Sequence, residues 1–222
     1  MNIPLQLQQN ASDNTAHISQ YAYMAGEGSV SVSGGYASTE IGFNVLPTLF
    51  CFNVTNESFD KLDIKSVSIE GSINNSAVLT MGASPAVQYS GAENMPKFEI
   101  TADGVSVEKN ATVVIYGLAF PSVINAGGTI KFGFSGIYDE GKVHNVEKTI
   151  TFDNALNFEA NHFQTFDMRI SVTGIDVSWD VTSWGEITEK PVTGSSDTMG
   201  SESGVDNWGD MTESDATVSE NN

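Results

Sequence analysis

Basic residues are scarce in this chain of 222 residues. Nine lysines and arginines stand against 28 aspartates and glutamates, which gives a formal net charge of -19, and Arg169 is the single arginine. A chain of this charge is repelled by phosphate groups and by anionic lipid surfaces. Binding to nucleic acid or to an anionic membrane surface is therefore disfavoured.

Cysteine is almost absent. Cys51 is the only one, and it lies between Phe50 and Phe52 in an apolar run. A single cysteine excludes an intramolecular disulfide and a metal cluster built on cysteines. We expect Cys51 to be a small buried hydrophobic residue and not a nucleophile.

Long apolar segments are missing as well. No uninterrupted apolar run approaches the length needed to span a membrane, and residues 1–6 have neither the basic nor the apolar region of a signal peptide. The sequence as written therefore predicts a soluble, unexported protein without a membrane span. The alternative is that it is a processed or shortened piece of a longer precursor.

Motifs that carry catalysis or bind cofactors are also lacking. No nucleophile elbow, phosphate-binding loop or dinucleotide fingerprint occurs in a suitable context. Carboxylates are plentiful, but turns and solvent-facing strand positions account for them. The histidines lie far apart and in no metal-binding frame: His17, His144 and His162. We therefore predict no enzymatic activity, no catalytic residue, no cofactor and no metal site.

The pattern that is present most clearly has a period of two and occupies residues 163–184. Every second side chain is apolar there, which places these side chains on one face of a strand. Gly174 separates two such runs, and we predict two half-buried strands joined near it, with Trp179 in the core. The apolar positions are Phe166, Met168, Ile170 and Val172, followed by Ile175, Val177, Trp179 and Val181.

Further strands are predicted along most of the chain. Residues 41–54 read as the first core strand, either buried on both faces or bent at Pro47, and residues 111–120 read as a central strand that stops at Pro121. Residues 62–69 read as a strand with a bulge at Lys65 and Ser66, and residues 129–152 as a hairpin. No segment shows helical periodicity over three turns. The fold class predicted is all-β, an antiparallel β-sandwich of the transthyretin-like or Greek-key type.

Composition divides the chain into three parts. Residues 1–38 form an extended lead-in rich in Gln, Ser and Gly, with at most a short edge strand, and residues 39–187 form the sandwich domain. Residues 188–222 are acidic and poor in apolar side chains, which predicts a disordered tail. Trp184 at the end of the domain and Trp208 in the tail are the residues that we predict to contact a ligand or partner.

The order and spacing of four segments resemble a known family. These segments are I-P-L-Q-L-Q-Q with A-H-I-S-Q-Y-A-Y-M-A, then I-G-F-N-V-L-P-T-L-F-C-F-N-V-T-N, then A-T-V-V-I-Y-G-L-A-F-P-S, and finally L-N-F-E-A-N-H-F-Q-T-F-D-M-R-I-S-V with W-D-V-T-S-W-G. Together they cover most of residues 3–185 and are similar to the C-terminal domain of the Bacteroidales fimbrillin-like proteins, the type V pilus subunits and their Mfa-like relatives.

The resemblance implies a structural or adhesive protein of the cell surface, within a fimbrium or at the outer membrane. It implies assembly by β-strand exchange with other fimbrial subunits or with copies of itself, and contact with host proteins or glycans. The family's lipoprotein signal and N-terminal domain have no counterpart in this sequence, so we expect them to lie upstream or to be lost. The alternative function is a surface glycan-binding β-sandwich module that uses exposed aromatic residues such as Trp184.

Overall fold

The computed structural model of the chain describes residues 1–11, 14–81, 86–91, 95–138 and 141–183. The predicted acidic tail of residues 188–222, and with it Trp208, lies outside the described residues, and so does Trp184. The three-part division of the chain therefore stays a prediction.

Sixteen strands and one four-residue helix are described. In chain order they are β1 (Gln6–Gln9), α1 (Ala16–Ser19), β2 (Met24–Ser33), β3 (Tyr36–Val45), β4 (Thr48–Asn56), β5 (Leu62–Glu70), β6 (Ser76–Thr80), β7 (Ala86–Ser90), β8 (Lys97–Ala102), β9 (Ser106–Val107), β10 (Thr112–Ala119), β11 (Ser122–Ile124), β12 (Thr129–Tyr138), β13 (Val143–Thr151), β14 (Leu156–Phe158), β15 (His162–Ser171) and β16 (Gly174–Ser183). The described part of the chain contains no helix long and apolar enough to cross a bilayer.

Two larger sheets build the body of the fold. One has the strand order β1-β8-β5-β12-β13 with β9 also paired to β5, and the other has the order β10-β4-β15-β16. Their apolar side chains form a single core, in which the ring of Phe132 from the first sheet lies 5.0 Å from the ring of Phe166 in the second. The predicted all-β fold class is confirmed, with two parallel pairs, β1 with β8 and β4 with β15, among mostly antiparallel ones.

Period-two patterning predicted the two hairpins correctly. β15 and β16 pair antiparallel around the tight connection at residues 172–173, and β12 and β13 pair in the same way. Phe166, Met168 and Ile170 are fully buried, as their alternation requires. The predicted bulge is confirmed too, because Ser66 pairs with Ser135 and Ile64 with Gly136, which leaves Lys65 as the extra residue.

Three details of the sequence reading were wrong. Residues 41–54 do not form one core strand: the chain breaks around Pro47, and Ile41 and Phe43 on β3 are exposed. β10 is an edge strand and not a central one. Trp179 is 41% exposed and only partly packed, because β16 is the outer strand of its sheet.

The lead-in contains more structure than expected. The short edge strand β1 is present, but α1 and the ten-residue strand β2 follow it, and β2 pairs with β3 in a separate two-stranded ribbon. Tyr23 precedes the ribbon and stacks on Phe120 at a ring distance of 6.0 Å, while the backbone N–H of Leu46 donates to the carbonyl of Tyr23. The ribbon is therefore anchored to the sandwich at its base.

Candidate functional site: the edges of the two sheets

The candidate site is the side of the sandwich where β1 lies between the edges of both sheets. β1 pairs in parallel with β8, with Leu7 opposite Ile100. Ile3 is 0% exposed and Leu7 is 9% exposed, so the N-terminal segment contributes two apolar side chains to the core. β1 thus acts as an edge strand that also closes the core on this side.

Main-chain hydrogen bonds hold the segment in place. The backbone N–H of Glu99 donates to the carbonyl of Leu5 at 2.7 Å, and that of Asp103 donates to the carbonyl of Gln9 at 3.0 Å. The hydroxyl of Thr101 donates to the carbonyl of Leu7 at 3.1 Å. The segment is therefore bound by the contacts that an edge strand makes with any extended chain, namely backbone bonds and alternate side chains.

Gln9 connects this segment to the other sheet. Its side chain is fully buried, its Nε2 donates to the carbonyl of Val114 at 2.9 Å, and its Oε1 accepts from the backbone N–H of Tyr116 at 2.8 Å. An amide side chain has one donor and one acceptor group like a peptide unit, so it satisfies the edge of β10 as a neighbouring strand would. The outer edge of β10 is thereby covered by a side chain.

His17 on α1 covers the next position of the same edge. Its Nε2 lies 2.8 Å from the carbonyl oxygen of Tyr116. Because a carbonyl oxygen only accepts, the proton of the neutral ring sits on Nε2. Burial lowers the pKa of His17, against smaller raising effects of its interactions with the backbone of Tyr116 and of Asn14.

The opposite side of the sandwich is closed by β13 and β16. The ring of Phe152 meets the indole of Trp179 edge-on at 5.0 Å, and the ammonium of Lys148 lies 3.7 Å from the carboxylate of Asp176. The carboxylate of Asp180 accepts from the backbone N–H of Val181 at 2.8 Å. A charged side chain thus covers part of the β16 edge, which hinders pairing with a further strand.

Trp184 and Trp208, the residues predicted as ligand or partner contacts, lie outside the described residues, so their role stays a prediction. His144 and His162 lie on β13 and β15, and among the described residues no group of His, Cys, Asp and Glu is arranged to hold a metal ion.

Gln9 and His17 were missed as functional candidates by the sequence reading. Along β1 the exposed positions are Gln6 and Gln8, and the buried positions are Leu7 and Gln9. A glutamine at an inward position of an alternating strand is the signal that would have identified Gln9. For His17 no comparable pattern exists, because its partner is almost a hundred residues away in the chain.

Comparison with known proteins finds no matching family model and no matching curated protein. Solved structures do match. A candidate cell adhesion protein from Bacteroides ovatus has 10% identity and a TM-score of 0.42, covering 77% of this chain and 56% of that one. The tip fimbrial protein Mfa3 from Porphyromonas gingivalis, truncated at its C-terminus, has 12% identity and a TM-score of 0.36, with coverages of 64% and 52%.

A fimbrial protein from Bacteroides vulgatus has 14% identity and a TM-score of 0.37, covering 65% of this chain and 56% of that one. The chain therefore spans about half the length of the solved structures that it matches.

Proposed function

We propose that this chain is a non-enzymatic structural or adhesive protein of the cell surface, a fimbrillin-like subunit that joins other fimbrial subunits or its own copies by exchanging a β-strand. The observation that carries the proposal is the position of β1, which occupies a slot between β8 and the edge of β10. The ordered resemblance of the sequence to fimbrillin-like proteins supports the same conclusion.

The slot is suited to an exchanged strand because of the contacts that β1 makes. Leu7 on β1 and Ile3 in the segment before it fill apolar positions of the core, and the backbone of β1 pairs with one neighbour, β8. An extended segment of another subunit with the same alternation would make equivalent contacts. Replacing β1 with that segment would therefore link two chains with little loss of contacts.

Gln9 provides selectivity for the register of the exchanged strand. A slip by one residue would turn its side chain away from β10 and would leave the backbone groups of Val114 and Tyr116 without the amide that they contact. The slot therefore favours a strand that carries a glutamine-like amide two positions after a buried apolar residue, as Leu7 and Gln9 do. Sequences without that pair are expected to bind less tightly.

The proposed partners follow from this mode of assembly. Other fimbrial subunits or copies of the chain are the strand partners, and host proteins or glycans are the targets of the assembled fibre. The proposed location is the cell surface, within a fimbrium or at the outer membrane. The net charge of -19 makes nucleic acid an unfavourable partner.

A disulfide that locks β1 to β8 tests the proposal. Gln8 and Thr101 lie opposite each other in the register and are both exposed, so Gln8→Cys with Thr101→Cys joins the two strands on the outside of the fold. In the full chain expressed with its native upstream sequence, we expect the oxidised variant to be unable to enter filaments and the reduced variant to enter them. The readouts are electron microscopy and mass measurement.

A second engineered disulfide serves as the matched control. Ser135 and Asn145 face each other on β12 and β13, where their side chains are hydrogen-bonded at 2.7 Å, and Ser135→Cys with Asn145→Cys crosslinks strands that the proposal leaves in place. Filaments should form with this lock. The proposal is contradicted if filaments form equally well when the disulfide joins β1 to β8. It is also contradicted if the protein stays strictly monomeric in the presence of fimbrial subunits.

A further inference from the structure

The ribbon of β2 and β3 extends beyond the sandwich core and offers a separate surface. Each strand has ten residues, and Gly34 and Gly35 make the turn with φ of 60° and 85°, in the left-handed region that glycine favours. Among the described strands, β2 and β3 pair only with each other. An isolated two-stranded ribbon is marginally stable in water, so a covering partner stabilises it.

The register gives the ribbon two different faces. Alternate pairs lie on the same face, and one set of pairs carries no charged side chain. This uncharged face consists of Met24 with Val45, Gly26 with Phe43, Gly28 with Ile41, Val30 with Thr39, and Val32 with Ala37. The opposite face consists of Ala25 with Asn44, Glu27 with Gly42, Ser29 with Glu40, Ser31 with Ser38, and Ser33 with Tyr36.

The uncharged face is open to solvent. Val32 is 74% exposed, Val30 and Phe43 are each 67% exposed, and Ile41 is 50% exposed. A contiguous row of exposed apolar side chains on a soluble domain marks an interaction surface.

The two halves of this face differ in bulk. In the half near the sandwich, Phe43 and Ile41 lie across the backbone of β2, so that a Cβ atom at Gly26 would be 2.8 Å from Cδ1 of Phe43 and 2.9 Å from Cγ2 of Ile41. In the half near the turn, the side chains are smaller, as at Val30 and Ala37. The face is thus raised near its base and lower near its tip.

We propose that this uncharged face packs against the same face of a second copy, with the two ribbons antiparallel. In that arrangement the raised half of each ribbon lies over the lower half of the other, and large residues meet small ones as in a well-packed core. Glu27 and Glu40 stay in water on the outer faces. The contact therefore brings no carboxylate of these highly acidic chains into the interface.

The size of the contact determines its strength. A ribbon ten residues long is about 33 Å in length and about 10 Å wide, which gives roughly 330 Å² of contact for each copy. A stable interface needs about 800 Å² for each partner, so pairing through this face alone is weak and reversible. Pairing through this face is expected to be populated where two copies are held close together, because their local concentration is then high. The inference is independent of strand exchange, because β1 and the edge of β10 take no part in it.

Sedimentation velocity of the full chain, from micromolar to millimolar concentration, tests the inference. We expect a reversible dimer that strengthens as salt is added, because salt screens the repulsion between two chains of net charge -19. Ile41→Thr with Phe43→Thr keeps β-forming residues in the ribbon but removes its raised half, and it should weaken dimerisation by about tenfold or more. Tyr36→Thr, which removes an aromatic side chain that is 83% exposed on the opposite face, is the matched control and should leave the dimer intact.

Repeating the measurement with β1 locked by the oxidised Gln8→Cys and Thr101→Cys pair separates this contact from strand exchange, and the dimer should persist there. A protein that stays monomeric at millimolar concentration in high salt overturns the inference. So does equal loss of the dimer in Tyr36→Thr, which would show that the uncharged face is not what holds the two copies together. Binding of the face to neutral phosphatidylcholine vesicles in place of self-association would assign it to lipid and would also overturn the inference.

Discussion

The side-chain amide of Gln9 accepts a hydrogen bond from the backbone N–H of Tyr116 at 2.8 Å, although the two residues are 107 positions apart in the chain. The same amide donates to the carbonyl of Val114 at 2.9 Å. One buried side chain thereby completes the edge of the second sheet and fixes the first strand against it. We expect the stability of the β1 side of the sandwich to depend on this contact.

Replacing Gln9 with leucine is expected to destabilise the fold by about 2–4 kcal/mol, because the two buried hydrogen bonds between its amide and the backbone of Val114 and Tyr116 are lost. The measurement is the free energy of unfolding from urea titration. Gln8→Leu is the control, since Gln8 is the exposed neighbour on β1, and it should change stability by no more than about 0.5 kcal/mol. Equal effects of the two variants would show that the amide of Gln9 is not what holds the edge.

His17 should make stability depend on pH. Burial lowers its pKa below the ordinary value of 6.5, so the unfolded chain binds a proton more readily than the folded one. The stability associated with neutral His17 is fully present above pH 6.5 and is lost as the pH falls through the lowered pKa. Urea titrations between about pH 8 and about pH 5 should show a steeper loss in the wild type than in His17→Gln. Parallel profiles for the two proteins would contradict this assignment.

Trp179 and Phe166 should differ in what they contribute to stability. They are directly opposite in the β15–β16 pair, but Phe166 is 0% exposed and Trp179 is 41% exposed. Phe166→Ala is expected to cost about 3–5 kcal/mol and Trp179→Ala about half as much, because a cavity forms only at the buried site. Thermal and urea unfolding of both variants measure the difference. A larger loss at Trp179 would mean that its contact with Phe152 is worth more than its exposure indicates.

Cys51 should be unreactive in the folded protein. It is 8% exposed on β4, and burial raises the pKa of its thiol to about 12, so the reactive thiolate is almost absent near neutral pH. A thiol-specific reagent should label it only when the chain unfolds, and the labelling rate in increasing urea should follow the unfolding transition seen by circular dichroism. Rapid labelling without urea would require local opening of β4.

Local patterns predicted the strands that alternate cleanly. Phe166, Met168 and Ile170 were correctly predicted to be buried, because a strand side chain's orientation depends only on its position along the strand. The bulge at Lys65 was predictable for the same reason, since a phase slip in the alternation is visible in the sequence.

Apolar content alone misplaced other segments. Ile41 and Phe43 are as hydrophobic as core residues, but they lie on a ribbon outside the core, beyond the break around Pro47. β10 has the apolar composition of a central strand, but it lies at a sheet edge, where Gln9 and His17 cover it in place of a neighbouring strand. Hydrophobic composition alone therefore shows neither whether a strand lies in the core nor what covers its edge.

The sequence by itself determined the all-β class, the two hairpins and the bulge, because each follows from the side-chain period and the turn residues of neighbouring positions. Only the tertiary structure decided that β1 lies between the two sheets, that the side chain of Gln9 bonds to the backbone of Tyr116, and that the uncharged face of the ribbon stays exposed. Those outcomes depend on pairings between segments many tens of residues apart. Such pairings are selected by the packing of the whole core, and no local pattern encodes them.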